Sequence, residues 1–184
     1  VLAEEYERRF LAGEIDYRTF CELDAKHWKG LSDAYVRSLF SGVRYRMNVE
    51  QMAGGLRAAG LMLIGISTGL QYLAERVLAE LKIDRVVSNR LVVEDGILTG
   101  GVEIVVSHDG KGEALKEILR ETGTSPDEVI AVGDGRGDAP LAAMCGYAIA
   151  CRHADKELVR CADYLCKTND AREVLHHICE CLAG

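Results

Sequence analysis

Hydrophobic and polar positions divide the chain into a helical first quarter and a longer region in which helices alternate with strands. In the first stretch, apolar residues recur at the spacing of one helical face. Asp16 is the expected N-cap of a second helix, and Ser32 or Asp33 that of a third. We therefore predict a small helical cap lobe over residues 1–47, although a plain helical subdomain fits the same pattern.

The pattern changes near residue 48, from which we predict an α/β core extending to residue 184. Helices are predicted over 49–59, 70–81, 111–122, 139–144 and 171–182. Strands are predicted over 61–66, 129–132, 147–150 and 162–166, with a hairpin over 90–99 that turns at Asp95–Gly96. Alternation of this kind predicts an α/β fold with a doubly wound, parallel, Rossmann-like sheet.

Composition narrows the classes of function. The net charge of −7 argues against nucleic acid as a partner, but a bound metal can still attract a phosphorylated metabolite. No apolar run reaches the roughly 20 residues that span a bilayer, and the acidic start does not resemble a signal peptide. The seven cysteines contain no CxxC pair, which favours reduced thiols over a structural metal site. Together these features predict a cytoplasmic protein without membrane partners.

The stretch 129–138 carries the strongest chemical signal. A short run rich in β-branched residues is followed by Gly133–Asp134–Gly135, which places Asp134 at the carboxyl end of a buried strand. Asp138 follows four residues later. Two neighbouring carboxylates are suitable ligands for Mg²⁺. The simpler alternative is a strand, a polar turn and an N-capped helix.

Two further positions are candidates for binding phosphate. Ser67–Thr68–Gly69 follows the predicted strand 61–66 and precedes a helix, where backbone amides and the helix dipole attract anions. An ordinary helix cap is the alternative. Lys111 lies between two glycines at a helix start, an unfavourable place for a cation unless an anion is near. Its alternative is a solvated surface lysine.

In this order the motifs resemble the second, third and fourth motifs of haloacid dehalogenase (HAD)-type phosphatases, and most closely those of the phosphoserine phosphatase branch. The other stretches similar to that branch are Ala12–Gly13–Glu14–Ile15–Asp16, Asn89–Arg90–Leu91, Asp95–Gly96–Ile97–Leu98–Thr99–Gly100 and Lys111–Gly112–Glu113. The resemblance covers nearly all of the chain and implies a HAD core with a small helical cap.

The resemblance also implies a function. It implies a Mg²⁺-dependent phosphatase that hydrolyses a small phosphomonoester through an aspartyl-phosphate, with a homodimer as a compatible assembly. Ser67 and the Thr68 amide would bind phosphate, and Lys111 would neutralise it. Asp134 and Asp138 would form the metal site, with Asp134 as direct ligand and Asp138 holding a metal-bound water or the lysine.

The first motif of the family, Asp-x-Asp-x-Thr, does not occur in the sequence. Asp16 and Asp24 match its nucleophile only by residue type. We therefore expect the nucleophile and the acid/base aspartate upstream of residue 1, and we expect the chain by itself to be inactive. Without the strand that carries them, 61–66 and 129–132 would lack a shared neighbour and keep unpaired edges.

Three other positions depart from the branch. Gly137 replaces an asparagine, and Thr68 replaces a glycine. Asp24 falls where an arginine grips the substrate carboxylate, which predicts a substrate other than phosphoserine. Arg18, Lys26 or Lys29 can compensate from neighbouring positions.

Two functions of other classes remain as alternatives. One is a non-catalytic HAD-like protein that binds phosphate or metal as a regulator. The other is a nucleotide-binding doubly wound domain. The second is disfavoured because no Gly-x-Gly-x-x-Gly follows a strand and because Asp134 would face a pyrophosphate.

Overall fold

The structure, a computed structural model, describes residues 2–183. The helices in this range are α1 (Leu2–Leu11), α2 (Tyr17–Lys26), α3 (Asp33–Ser41), α4 (Val49–Ala58), α5 (Gln71–Glu80), α6 (Lys111–Thr122), α7 (Ala139–Ala142), α8 (Lys156–Cys161) and α9 (Arg172–Ala183). The strands are β1 (Ile64–Leu70), β2 (Arg85–Glu94), β3 (Ile97–Glu103), β4 (Ile130–Gly133), β5 (Tyr147–Ala150) and β6 (Tyr164–Leu165). Short 3₁₀ turns precede β4 and α7. None of the helices within residues 2–183 combines the length and hydropathy that a bilayer-spanning segment needs.

The three N-terminal helices form where the pattern predicts them. The Asp16 carboxylate accepts a hydrogen bond from the Thr19 amide at 2.7 Å, and the Ser32 hydroxyl accepts one from the Tyr35 amide at 3.2 Å. Helices α2 and α3 share one buried cluster with α5 and the β2–β3 hairpin, formed by Ala25, Val36, Tyr72, Leu91 and Leu98. Because this cluster spans the predicted boundary near residue 47, the division into lobe and core stays a prediction.

The strands confirm an α/β fold with parallel pairing. β1 and β2 are parallel, and β2 turns back into the antiparallel β3. Asp95 and Gly96 form that turn with φ values of 48° and 77°, as the hairpin prediction requires. β4, β5 and β6 are parallel to one another. Helices α4 and α9 pack together beside this second group, over a cluster that includes Leu56, Ile149 and Ile178.

The two groups of strands share no ladder of hydrogen bonds within the described residues. β1 pairs only with β2, and β4 pairs only with β5, so each keeps one unpaired edge. Val132 on β4 is 44% exposed although it lies in an apolar strand. The unpaired edges expected of these two strands are therefore observed, and a further strand between them stays a prediction.

Several boundaries differ from the prediction. β1 begins at Ile64 and continues to Leu70, so Ser67–Thr68–Gly69 belongs to an irregular end of the strand and not to a separate turn. β2 begins at Arg85, because its first residues pair with β1. This pairing has no local signal in the sequence.

The C-terminal region contains the other differences. α8 was not predicted, because six residues are too few to show a helical period; the Asp155 carboxylate caps it by accepting from the Glu157 amide at 2.8 Å. The predicted strand 162–166 is reduced to Tyr164–Leu165. The predicted helix 139–144 is reduced to α7, which follows the 3₁₀ turn ending at Asp138.

Candidate active site

The loop after β4 is stabilised by hydrogen bonds to the Asp138 carboxylate. The 3₁₀ turn directs the Asp138 carboxylate back toward the strand end, where Oδ2 accepts hydrogen bonds from the amides of Asp134 at 3.0 Å and Gly135 at 2.8 Å. By contrast, the Asp134 side chain is 63% exposed. The two aspartates are four positions apart in the chain, but the Asp134 carboxylate is exposed and the Asp138 carboxylate is largely buried.

Lys111 joins this loop to α6. Its Nζ donates to Asp138 Oδ1 at 2.5 Å, and the two side chains are only 15% and 14% exposed. The surface-lysine alternative is therefore wrong. The anion that the sequence predicted near Lys111 is the carboxylate of Asp138, which holds the ammonium group beside the end of β4.

Two glycines make this arrangement possible. A Cβ at Gly133 would lie 2.5 Å from Asp138 Oδ2, so any side chain there would push the carboxylate away. A Cβ at Gly137 would lie 3.0 Å from the carbonyl oxygen of His108. Glycine at position 137, where the family has asparagine, therefore leaves room for the segment before Lys111 to lie close to this loop.

Replacing Gly133 with alanine should destabilise the protein by about 2 kcal/mol, because the added methyl group has no room beside Asp138. The same change at Gly54 in α4 is the matched control, since a Cβ there meets nothing within 4 Å; alanine at that position should stabilise the helix by about 0.5–1 kcal/mol. Urea unfolding of both variants measures the difference. Equal stability of Gly133→Ala and wild type would contradict the proposed packing.

Ser67 and Thr68 lie at the carboxyl end of β1. Ser67 Oγ accepts from the Gly69 amide at 3.0 Å, and the Thr68 carbonyl accepts from Asn89 Nδ2 at 3.0 Å. β1 packs against α6, which begins with Lys111. The structure thus brings Lys111 and Asp138 into direct contact, and the Asp138 carboxylate also accepts a hydrogen bond from the Asp134 amide. Among the described residues, Ser67 and Thr68 are linked to them by strand packing and not by a hydrogen bond.

Asn89 is a positioning residue whose role the sequence analysis missed. It is 2% exposed, and its Nδ2 also donates to the Tyr17 hydroxyl at 3.2 Å. Its Oδ1 accepts from the amides of Val105 and Val106, both at 2.8 Å. One side chain therefore fixes β1, helix α2 and the segment after β3. The Asn-Arg-Leu stretch of the family resemblance was the available signal.

The N-terminal helices contact the site through aromatic rings. The ring centroids of Phe10 and His108 are 4.9 Å apart, and those of Tyr17 and His108 are 5.9 Å apart. Phe20 stacks on Phe10 at 5.6 Å. Burial raises the pKa of the Tyr17 hydroxyl well above its ordinary value, so it stays protonated. Helices α1 and α2 therefore rest on the segment just before Lys111.

Arg46, also missed, reaches the site from the segment between α3 and α4. Its Nη2 lies 3.3 Å from Asp134 Oδ2. Several arginines surround it in the sequence, and nothing in the local pattern distinguishes this one. The other candidate aspartates remain outside the site chemistry: Asp16 caps α2, and Asp24 lies within that helix.

The donor set is suitable for a hard cation. Asp134 offers an exposed carboxylate at a strand end, and Mg²⁺ is commonly held by one or two carboxylates together with water and phosphate oxygens. Within residues 2–183 no group of three or more His, Cys, Asp or Glu side chains could hold a metal. Asp138 already accepts hydrogen bonds from Lys111 and two backbone amides, so holding the lysine fits its contacts better than binding the metal directly. Both roles stay predictions.

Comparisons with known proteins identify the family of the chain. Residues 2–143 match the family model described as haloacid dehalogenase-like hydrolase. Phosphoserine phosphatase from Idiomarina loihiensis is 32% identical over 166 residues, covering 90% of this chain and 75% of that protein. The enzyme from Halobacterium salinarum is 33% identical over 143 residues, covering 77% and 68%.

Solved phosphoserine phosphatases are also found by structural comparison. A solved phospho-aspartyl intermediate analogue of phosphoserine phosphatase superposes with a TM-score of 0.81 at 26% identity, covering 95% of this chain and 84% of that one. The chain therefore belongs to the haloacid dehalogenase-like hydrolases and resembles the phosphoserine phosphatases among them.

Proposed function

We propose that this chain forms most of the active site of a Mg²⁺-dependent phosphatase that hydrolyses a small phosphomonoester. The observation that carries the proposal is the Lys111–Asp138 ion pair, which lies at the end of β4 beside the exposed Asp134 carboxylate. A cation, an exposed carboxylate and the polar end of β1, which packs against α6, are suitable groups for binding a phosphate and a metal ion.

Each residue has a proposed role. The Ser67 hydroxyl and the Thr68 amide bind phosphate oxygens. Lys111, oriented by Asp138, neutralises negative charge that develops on the phosphoryl group. Asp134 holds Mg²⁺, which when bound supplies positive charge that offsets the repulsion between phosphate and an attacking carboxylate.

The covalent step requires an aspartate that the 184 residues do not provide in the family's motif. In the proposed reaction this carboxylate attacks phosphorus and the ester P–O bond breaks. A second aspartate protonates the leaving alcohol, and water then hydrolyses the aspartyl-phosphate. The unpaired edges of β1 and β4 support a further strand between them as the carrier of both aspartates.

Two indications about the substrate point in opposite directions. The names of the relatives favour phosphoserine. Asp24, at the position expected for a carboxylate-binding arginine, favours a phosphomonoester without that carboxylate. The relatives' names also support an enzyme over the non-catalytic alternative, and they lend no support to the expectation that this chain is inactive.

The test is phosphate release by the natural protein that contains this chain, with phosphoserine and a neutral phosphomonoester assayed in parallel. Asp134→Asn should raise the Mg²⁺ concentration for half-maximal activity by about tenfold or more. Asp127→Asn makes the same charge change at the opposite end of β4 and should have no such effect. Release that is insensitive to chelator and unchanged in Asp134→Asn would contradict the proposal.

A further inference from the structure

The linker between α3 and α4, residues 42–48, is held at both ends. At its start, the Arg76 guanidinium donates to the carbonyl oxygens of Phe40 at 2.6 Å and Val43 at 3.0 Å. The same guanidinium lies 4.8 Å from the centre of the Tyr45 ring. These contacts attach the first half of the linker to α5.

The far end of the linker is attached to the segment after β6. Met47 forms a bridge with Asp170, and its carbonyl accepts from the Ala171 amide at 2.9 Å. Asn48 adopts a left-handed conformation with φ 59° and donates from Nδ2 to Asp170 Oδ2 at 2.9 Å. The backbone of Arg46 thus lies between two attachments.

The Arg46 side chain extends from this linker to the candidate metal ligand. Its Nη2 contacts Asp134 Oδ2 at 3.3 Å, and the arginine is only 31% exposed although its partner is largely open. Lys111, which contacts the same loop, is paired with Asp138. The Asp134 carboxylate is therefore paired with Arg46 and not with Lys111 in the ion pairs of the described residues.

We propose that Arg46 occupies Asp134 in the metal-free protein as an internal cation that Mg²⁺ has to displace. This inference rests on the proposed function, because it takes Asp134 as the metal ligand. The linker keeps the guanidinium at a fixed place, so the competition is intramolecular and sets the affinity for the ion. By competing with Mg²⁺ for the Asp134 carboxylate, Arg46 lowers the affinity of the site for the ion.

The test measures Mg²⁺ affinity by isothermal titration calorimetry without substrate, using the natural protein that contains this chain. Arg46→Gln should bind Mg²⁺ about two- to fivefold more tightly at low ionic strength, the range expected when an exposed ion pair is lost. The gain should shrink at high salt, because screening already weakens such a pair. Arg46→Lys keeps the charge and should remain near wild type.

Arg44→Gln is the matched control, because it removes the same charge from an exposed position in the same linker. Its Mg²⁺ affinity should change by less than about 1.5-fold, as expected for a charge screened over distance. An equal gain in both variants would show a general charge effect and overturn the inference. If Arg46→Gln binds Mg²⁺ with unchanged affinity while Asp134→Asn loses binding, the role of Arg46 is overturned and the metal assignment of Asp134 is kept. Absence of Mg²⁺ binding by every variant, wild type included, overturns the metal assignment as well.

Discussion

Replacing Asp138 with alanine is expected to reduce the free energy of unfolding by about 3 kcal/mol, the cost typical of breaking a buried ion pair on one side. The change leaves the Lys111 ammonium without its carboxylate, and it also removes the acceptor of the Asp134 and Gly135 amides. Urea unfolding measures the loss of stability. Phosphate release should fall by about 10²–10³-fold, because Lys111 loses its fixed orientation.

A double variant separates stability from function. Lys111→Met combined with Asp138→Leu replaces both charges by apolar groups of similar size, so it should regain part of the lost stability while remaining inactive. Asp127→Ala, at an exposed carboxylate, should unfold within about 0.5 kcal/mol of wild type. If Asp138→Ala unfolds at the wild-type urea concentration, the ion pair does not stabilise the site.

Asn89→Leu is expected to destabilise the protein by about 4 kcal/mol. The apolar side chain leaves the Val105 and Val106 amides and the Thr68 carbonyl without their partner. Each unsatisfied buried group costs about 1–3 kcal/mol. Urea unfolding measures the total, and hydrogen exchange at the Val105 and Val106 amides reports the local opening.

Two further variants test whether the cost comes from these hydrogen bonds. Asn89→Asp keeps the acceptor for the two amides and loses the donor to Thr68 and Tyr17, so its destabilisation should be intermediate. Asn169→Leu makes the same substitution at an exposed position and should stay within about 0.5 kcal/mol of wild type. A neutral Asn89→Leu variant would contradict the positioning role.

Elements that depend on local chemistry could be predicted from the sequence. Helix α6 was predicted with its observed bounds, because its apolar period is regular and Gly123 adopts the left-handed C-cap conformation at φ 70°. The Asp95–Gly96 turn has an equally local cause. The presence of an anion near Lys111 followed from the unfavourable position of a cation at a helix start, although the sequence did not show that this anion is the Asp138 carboxylate.

Features that depend on distant partners could not be predicted in the same way. Arg46 and Asp134 are 88 positions apart, and nothing near either residue indicates their contact. Asn89 was recognised as part of a stretch, but its bonds to Thr68 and Val105 depend on how β1 meets β2. The early start of β2 has the same cause, since its first residues pair only with β1.

The separation of the strands into two groups has a consequence for how the molecule unfolds. Backbone hydrogen bonds connect β1 to β3 and β4 to β6, but within the described residues no ladder joins the groups. The groups are connected instead by other contacts, among them the Lys111–Asp138 pair, the packing of α6 on α7 and of α4 on α9, and the Met47–Asp170 backbone bridge. A ligand that binds across the two strand ends would add a further connection between the groups and would stabilise the folded protein.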